Sequence, residues 1–298
     1  MSSVLKISKL TKRFGKLTAV DQLDLSIEEG QVYGILGPNG SGKTTTLGMI
    51  LEVVAPTSGH FEWFSGMNNV EARQKIGSIL ETPCFYSYLS ASQNLKIVAH
   101  IKKCDPSRID PILKQVNLYD RRNDKFKTYS LGMKQRLSLA AALLSDPPVL
   151  MLDEPTNGLD PEGIAEVRQL IKDIAGMGKT IIMASHLLDE VQKVCSHFCI
   201  LRKGVKLHEG AVEEILGETN VVDISSDDND KLAASLESFS GMDKLERENG
   251  SIRVFLKENH FSHNLNQFCF EKGITLKKLI PQSKSLEQEF LKILKEND

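Results

Sequence analysis

Nowhere do apolar residues run on for the roughly 18–20 positions that a bilayer-spanning helix requires. The longest candidate, Leu137–Leu144, is eight residues with Ser138 inside it, bounded by Arg136 and Ser145. Any hold on a membrane is therefore expected to come from a partner. The opening Met1-Ser2-Ser3-Val4 has no basic-then-apolar order of the kind a secretory signal shows. Cysteine is sparse: five residues, an odd number, scattered along 298 positions. That argues against a disulfide framework and for a reducing, cytoplasmic setting. Positive charge is not in excess either. Lys and Arg number 37 against 39 Asp and Glu, a formal net charge of −2, which argues against a nucleic-acid binder that relies on bulk positive charge. The sequence has no internal repeat, low-complexity tract or heptad stretch.

The composition is that of a folded protein, 41% hydrophobic and 26% charged, long enough for a domain of about 200 residues plus a smaller one. Val32–Leu36, Ile76–Leu80, Val149–Leu152 and Thr180–Ala184 are short apolar runs. Their continuous rather than alternating pattern suits strands buried on both faces of a parallel sheet. Between the last two, Ile164, Val167, Ile171 and Ile174 recur at helical spacing. That strand–helix–strand unit makes the fold class α/β. Val4–Leu10 and Ala19–Ile27 read instead as antiparallel strands around a turn at Gly15. The periodicity changes near Leu216–Asn220, so the expected boundary divides residues 1–216 from an accessory α+β domain, 217–298. The tail runs βαββαβ if Asp243–Arg247 is a short strand, and no motif in it carries chemistry.

Gly37-Pro38-Asn39-Gly40-Ser41-Gly42-Lys43-Thr44 matches G-x-x-x-x-G-K-[ST], between a strand and a helical run that begins at Thr45. That context is what the pattern requires. The glycines let successive N–H groups point at one anion, and the helix adds its positive end. Lys43 is placed to neutralise β- and γ-phosphates and Thr44 to offer a hydroxyl to Mg²⁺. The other core strands end at Glu81, at Asp153-Glu154 and at His186. Ligands of open α/β sheets bind at the carboxyl ends of strands, so these groups are expected to converge. Asp153 follows four apolar residues and suits a Mg²⁺ ligand. Glu154 suits a base that polarises water; the plainer alternative is a carboxylate pair capping the next helix. His186 is read as a γ-phosphate contact, with a purely structural histidine as the alternative.

Residues 37–44, Val149–Pro155 and His186 resemble the Walker A, Walker B and switch-histidine motifs of the ATP-binding cassette (ABC) ATPases. Tyr129-Ser130-Leu131-Gly132-Met133-Lys134-Gln135-Arg136 resembles the family's signature segment and Gly158-Leu159-Asp160 its D-loop, while Phe14 stands where its adenine-stacking aromatic belongs. The resemblance spans about residues 4–215. It implies a P-loop NTPase with a mixed-sheet core, an antiparallel β subdomain and a helical signature subdomain. It also implies that Walker A of one copy faces the signature of another across two ATP molecules. The implied nucleotide contacts are Phe14, the loop Gly37–Thr44, Thr45, Ser130, Gly132 and Asp160, with Thr44, Glu81 and Asp153 around Mg²⁺. The residues agree: Ser130 can cap a helix through Leu143 and so build a second anion site, or it is a plain N-cap. Asp160, before Pro161, is either only a cap or also a contact across the dimer.

Four positions depart from the family's common pattern. Leu131 and Met133 replace a glycine and a glutamine of the signature, Glu81 replaces a glutamine beside the metal, and Phe14 replaces a tyrosine. A glutamate there with a Ser-Leu-Gly-Met signature resembles the branch serving bacitracin and lantibiotic export or immunity. Cys84-Phe85-Tyr86-Ser87-Tyr88 falls where the family receives a membrane partner's coupling helix, or else it packs inward. Cys195, His197 and Cys199 invite a metal reading, but they span a helix end and a strand start and are expected to pack internally. The resemblance implies an ATP-hydrolysing subunit, on the cytoplasmic face of the membrane, that dimerises on two ATP and drives a separate permease, with export of a peptide, antibiotic or other amphipathic compound. The rival is a soluble cassette ATPase acting on nucleic acid or ribosomes.

Overall fold

Strands without a polar face need cover on both sides, and that requirement explains the layering around the site. The computed structural model describes residues 2–67, 69–80, 84–216, 218–248, 250–257, 259–283 and 286–296. Two compact units emerge, Met1–Val212 with Ile293–Asp298, and Glu213–Lys292.

The strands of the first unit are β1 (Ser3–Phe14), β2 (Leu17–Glu28), β3 (Val32–Leu36), β4 (Ser58–Trp63), β5 (Ile76–Ile79), β6 (Val149–Asp153), β7 (Thr180–Ser185), β8 (His197–Arg202) and β9 (Val205–Ala211). Its α-helices are α1 (Lys43–Ile50), α2 (Asn69–Gln74), α3 (Ala91–Lys102), α4 (Ile109–Gln115), α5 (Leu131–Leu143), α6 (Pro161–Gly176) and α7 (Leu188–Val194), with α8 (Val212–Leu216) following in the chain. One sheet has the order β5-β6-β7-β3-β8-β9. It is parallel throughout except for β9, which runs back along β8. Every residue of β3, β6 and β7 is buried, as their unbroken apolarity demands.

A second, antiparallel sheet has the order β2-β1-β4. Helix α1 shares one core with both sheets. Its Leu47, Met49 and Ile50 are buried with Leu5, Leu23 and Ile27 of one sheet and Ile35, Met151 and Ile182 of the other. Full burial of each such side chain contributes about 1.5–3 kcal/mol relative to exposure. Strand β4 is absent from the sequence expectation because Ser58-Gly59-His60 is polar and exposed. Its anchor is Trp63, which donates Nε1–H to the Ile50 carbonyl at 2.9 Å and ties β4 to the end of α1.

Register decides what the sheet presents at its edge. Leu36 pairs with Ser185, and Asp153 with Ala184. The ends of β3, β7 and β6 are therefore level to within one residue, and the residues that follow them emerge side by side.

In the second unit, β10 (Glu218–Ser226), α9 (Asn229–Leu236), β11 (Met242–Glu248), β12 (Ser251–Leu256), α10 (Ser262–Glu271) and β13 (Leu276–Ser283) precede α11 (Leu286–Glu296). The sheet is antiparallel with order β11-β12-β10-β13. Val222, Ile224, Ile252, Val254 and Leu256 bury one face against Leu232 and Leu236 of α9 and Leu265 of α10. On alternate positions Asp223 accepts from Arg253 Nε at 2.9 Å and from Gln282 Nε2 at 2.7 Å. The Arg253 hydrogen bond holds its carboxyl below the usual carboxylate range.

Cys199 lies in the core of the first unit, and Cys195, at the end of α7, is buried too. His197 Nδ1 is 3.1 Å from Ser196 Oγ. Burial pushes the Cys199 thiol up to about 12 and also raises that of Cys195, whereas Cys84 is exposed. Thiolate is the reactive form. A thiol reagent at about pH 8 should modify Cys84 in the native protein and reach Cys195 and Cys199 only after unfolding. Peptide mapping that found Cys199 labelled as fast as Cys84 would contradict this packing.

Candidate active site

The loop between β3 and α1 is shaped by backbone that only glycine tolerates. Gly42 has φ +107°, and a Cβ there would stand 2.5 Å from the Ala19 carbonyl oxygen. A Cβ on Gly37 would stand 2.3 Å from Leu201 O. Helix α1 then begins with no side-chain cap and no acidic residue in its first turn, so its N-terminal N–H groups are left for another anion. Among the described residues Ser41 Oγ, in a residue 2% exposed, has no hydrogen-bond partner, a cost that an oxygen-rich ligand in the loop would offset.

Lys43 is 5% exposed. Its Nζ donates to the carbonyls of Gly37 (2.7 Å) and Pro38 (3.3 Å) and lies 3.2 Å from Glu154 Oε1. The other oxygen of Glu154 is 2.8 Å from His186 Nδ1 and accepts the His186 backbone N–H at 3.3 Å. One carboxylate thus joins a residue after β6 to one at the start of α1 and one after β7. Because a carboxylate only accepts, Nδ1 is the protonated nitrogen, and Nε2 serves the opposite side of the ring. Glu154 holds φ +48°, a left-handed conformation unfavourable by about 1–2 kcal/mol for a residue with a Cβ. Its N–H is fastened to Ala184 O at 3.0 Å. Asp153, one residue earlier, is 3% exposed at the end of β6. Glu81 lies outside the described residues.

A cleft of about 560 Å³ opens over the loop, within the usual range for small-molecule sites. Phe14, Leu17, Thr18 and Ala19 form one wall, with Asn39, Gly40, Gly42, Lys43, Thr44 and Thr45 below and Glu154 and Lys203 beside them. Phe14 is half exposed, with Lys12 Nζ 4.8 Å from its ring centre. Lys203 was not among the expected site residues: it sits in the β8–β9 turn, about 160 residues after Lys43, where no local pattern signals it.

Ser130, Gly132 and Asp160 are elsewhere. They line a second cleft of about 440 Å³ with Leu131, Arg136, Gly158 and Glu166, and the two clefts share no lining residue. Ser130 Oγ accepts the Met133 N–H at 3.2 Å, capping α5. Asp160 Oδ1 accepts the Gly163 N–H at 3.0 Å, capping α6. Leu131 is 44% exposed and leans toward Gly158, so the larger signature side chain occupies the rim and leaves the Gly132 backbone open.

Comparison with known proteins sets this geometry in a family. The family model described as ABC transporter matches residues 20–157. Bacitracin transport ATP-binding protein BcrA of Bacillus licheniformis is 38% identical over 306 residues, covering 99% of this chain and 98% of the relative. The chain belongs to the ABC transporter ATP-binding proteins. Lantibiotic transport ATP-binding protein SrtF of Streptococcus pyogenes is 40% identical over 201 residues, covering 67% of this chain and 88% of SrtF. Among solved structures, a dimeric ATP-binding cassette in a post-hydrolysis state with ADP and Pi is 27% identical, with a TM-score of 0.62 over 70% of this chain and 98% of that one. This ABC protein is accordingly an ATPase that works with a membrane permease, and among its described residues no helix is long and apolar enough to cross a membrane.

In an ABC ATPase whose loop is built this tightly, Gly42→Ala forces Cβ against the Ala19 carbonyl. Nucleotide affinity, measured by titration calorimetry, should fall by roughly tenfold or more, the equivalent of about 1.4 kcal/mol. Gly15→Ala, with φ +58° but nothing within 4 Å of the added carbon, should leave affinity within about twofold.

Proposed function

We propose that the cleft over Gly37–Thr45 binds ATP and hydrolyses it with Glu154 as general base. The observation that carries this reading is the Glu154 carboxylate lying 3.2 Å from Lys43 Nζ and 2.8 Å from His186 Nδ1, at the level ends of three parallel strands. Phe14 offers a ring face to the base, and the loop amides with the start of α1 receive the phosphates. Thr44 and Asp153 are oxygen donors of the kind Mg²⁺ prefers, and the unpartnered Ser41 Oγ supports an oxygen-rich occupant. Bound Mg²⁺ supplies neutralisation of the phosphate charge.

The protein's own groups do the rest. Lys43 moves an ammonium from the loop carbonyls onto the terminal phosphates, which releases Glu154 to accept a proton from the attacking water. His186, whose ring the same carboxylate orients through Nδ1, stands toward the γ-phosphate, where a proton on Nε2 as well as on Nδ1 lets it donate to the charge that develops there. Glu154→Gln keeps the shape and removes the proton acceptor. It should retain ATP binding while slowing turnover by roughly two to four orders of magnitude. Steady-state turnover near the parent rate would take Glu154 out of the role.

The second cleft supports a shared site. Ser130 and Gly132 at the N-terminus of α5 form an anion-receptive end that, within one chain, lines a different cleft from Lys43, so a second copy of the protein is the partner that brings the two together around two ATP molecules, with Asp160 at the seam. Ser130→Arg should abolish hydrolysis and leave ATP binding by the monomer intact. A specific activity that does not change with protein concentration, and survives this substitution, would defeat the shared-site model.

The permease meets the segment after β5. Asn94 Oδ1 accepts the Tyr86 N–H at 2.9 Å and Phe85 packs on Phe126 with ring centres 5.2 Å apart. Tyr86 and Tyr88 are thereby turned outward, 53% and 64% exposed, as a docking surface on the cytoplasmic face of the membrane. The likeness to BcrA and SrtF supports export of a peptide antibiotic or similar amphipathic compound. Residues 217–298 are assigned as an accessory domain to the ATPase domain of residues 1–216.

A further inference from the structure

The β8–β9 connection is a two-residue hairpin turn: Arg202 pairs with Val205, and Lys203 and Gly204 have φ +49° and +82°. Turns with two positive φ values favour asparagine, aspartate or glycine at the first position, yet a lysine stands there. The turn is fastened at both sides of the nucleotide cleft. The Gly204 N–H donates to Ser41 O at 3.0 Å, and Gly204 O accepts the Asp21 N–H at 2.8 Å. A Cβ on Gly204 would come within 2.8 Å of the Ala19 carbonyl oxygen, the same oxygen that crowds Gly42. Lys203 is therefore held where the hairpin wall of Leu17–Ala19 meets the start of α1, and its side chain lines the cleft.

Charge inside the cleft is otherwise balanced, since Lys43 pairs with Glu154. Among the described residues Lys203 has no carboxylate partner and is exposed. Position along the cleft decides what it meets. Glu154 and the Lys43 ammonium mark the end where the γ-phosphate is cleaved, and Phe14 marks the base. Gly42 and Gly204 abut the same Ala19 carbonyl, so Lys203 enters the cleft beside the start of α1, between the phosphate loop and the hairpin that carries Phe14.

We infer that Lys203 is a nucleotide-binding residue that contacts the α-phosphate from the β8–β9 turn, a contact supplied from outside the phosphate loop. This rests on the reading of the cleft as the ATP site. An ammonium there adds a charge-assisted hydrogen bond to an oxygen that ATP and ADP share, and its attraction weakens as salt screens it.

The test is binding of Mg-ATP and of ADP to the full chain and to Lys203→Ala, Lys203→Arg and Lys43→Ala variants, with circular dichroism to confirm folding. Lys203→Ala should weaken ATP and ADP by the same factor, about three- to tenfold, and raise KM more than it lowers kcat. Lys203→Arg should restore most of the affinity, and the salt dependence of binding should be shallower for Lys203→Ala than for the parent. Equal affinity of parent and Lys203→Ala for both nucleotides would overturn the inference, as would a loss confined to ATP, which would put the contact at the γ-phosphate. A parent protein that binds neither nucleotide, or a Lys43→Ala variant that binds both as the parent does, would overturn the reading of the cleft instead.

Discussion

Because Leu36 pairs with Ser185 and Asp153 with Ala184, three parallel strands stop within one residue of a common line, and the reactive groups hang from that line. A slip of one residue in either pairing would turn buried side chains over to the other face and separate Gly37, Glu154 and His186. The register is held by backbone hydrogen bonds and by side chains buried on both faces, so the stability of the sheet and the geometry of the site have the same cause. The Gly37 N–H to Ser185 O and Glu154 N–H to Ala184 O bonds extend that ladder by one step beyond the strands, into the residues to which the chemistry is proposed to belong.

Electrostatics accounts for the rest of the arrangement. A buried ammonium is costly unless paired, and Lys43 satisfies itself with two carbonyls and Glu154. Each of those partners is one that phosphate or water can replace, so the resting network is also the receptive one. The anion-receptive end of α5, by contrast, lines a cleft with no residue in common. Two clefts on one chain, each with a helix N-terminus and glycine backbone, are the arrangement that the proposed shared site between two copies would use.

The second unit obeys different rules. Its strands alternate, with Ile252, Val254 and Leu256 inward and Arg253 and Phe255 outward, and the polar face is knitted by Asp223, Arg253 and Gln282.

Much of this was legible before the fold was known, and the boundary is instructive. The loop at 37–44, the cap at Ser130 and the cap at Asp160 are local: each function is carried out by residues within a few positions of one another, so spacing and residue type suffice. The buried strands were legible because β-branched apolar runs have few other uses. Strand β4 was not, since its polar start gives no periodicity and its hold on the core comes from Trp63, with Phe61 partly buried beside it. The aromatic run after Glu81 divides between Phe85 packed inward and Tyr86 and Tyr88 outward, a split that depends on Asn94 and Phe126. The sequence alone determined the kind of chemistry, through motifs whose atoms are neighbours along the chain. Only the tertiary structure decided that Glu154 bridges Lys43 and His186, that Lys203 lines the same cleft and that Ser130 does not, because those relations are set by strand register and a two-residue hairpin turn, which bring together residues far apart along the chain.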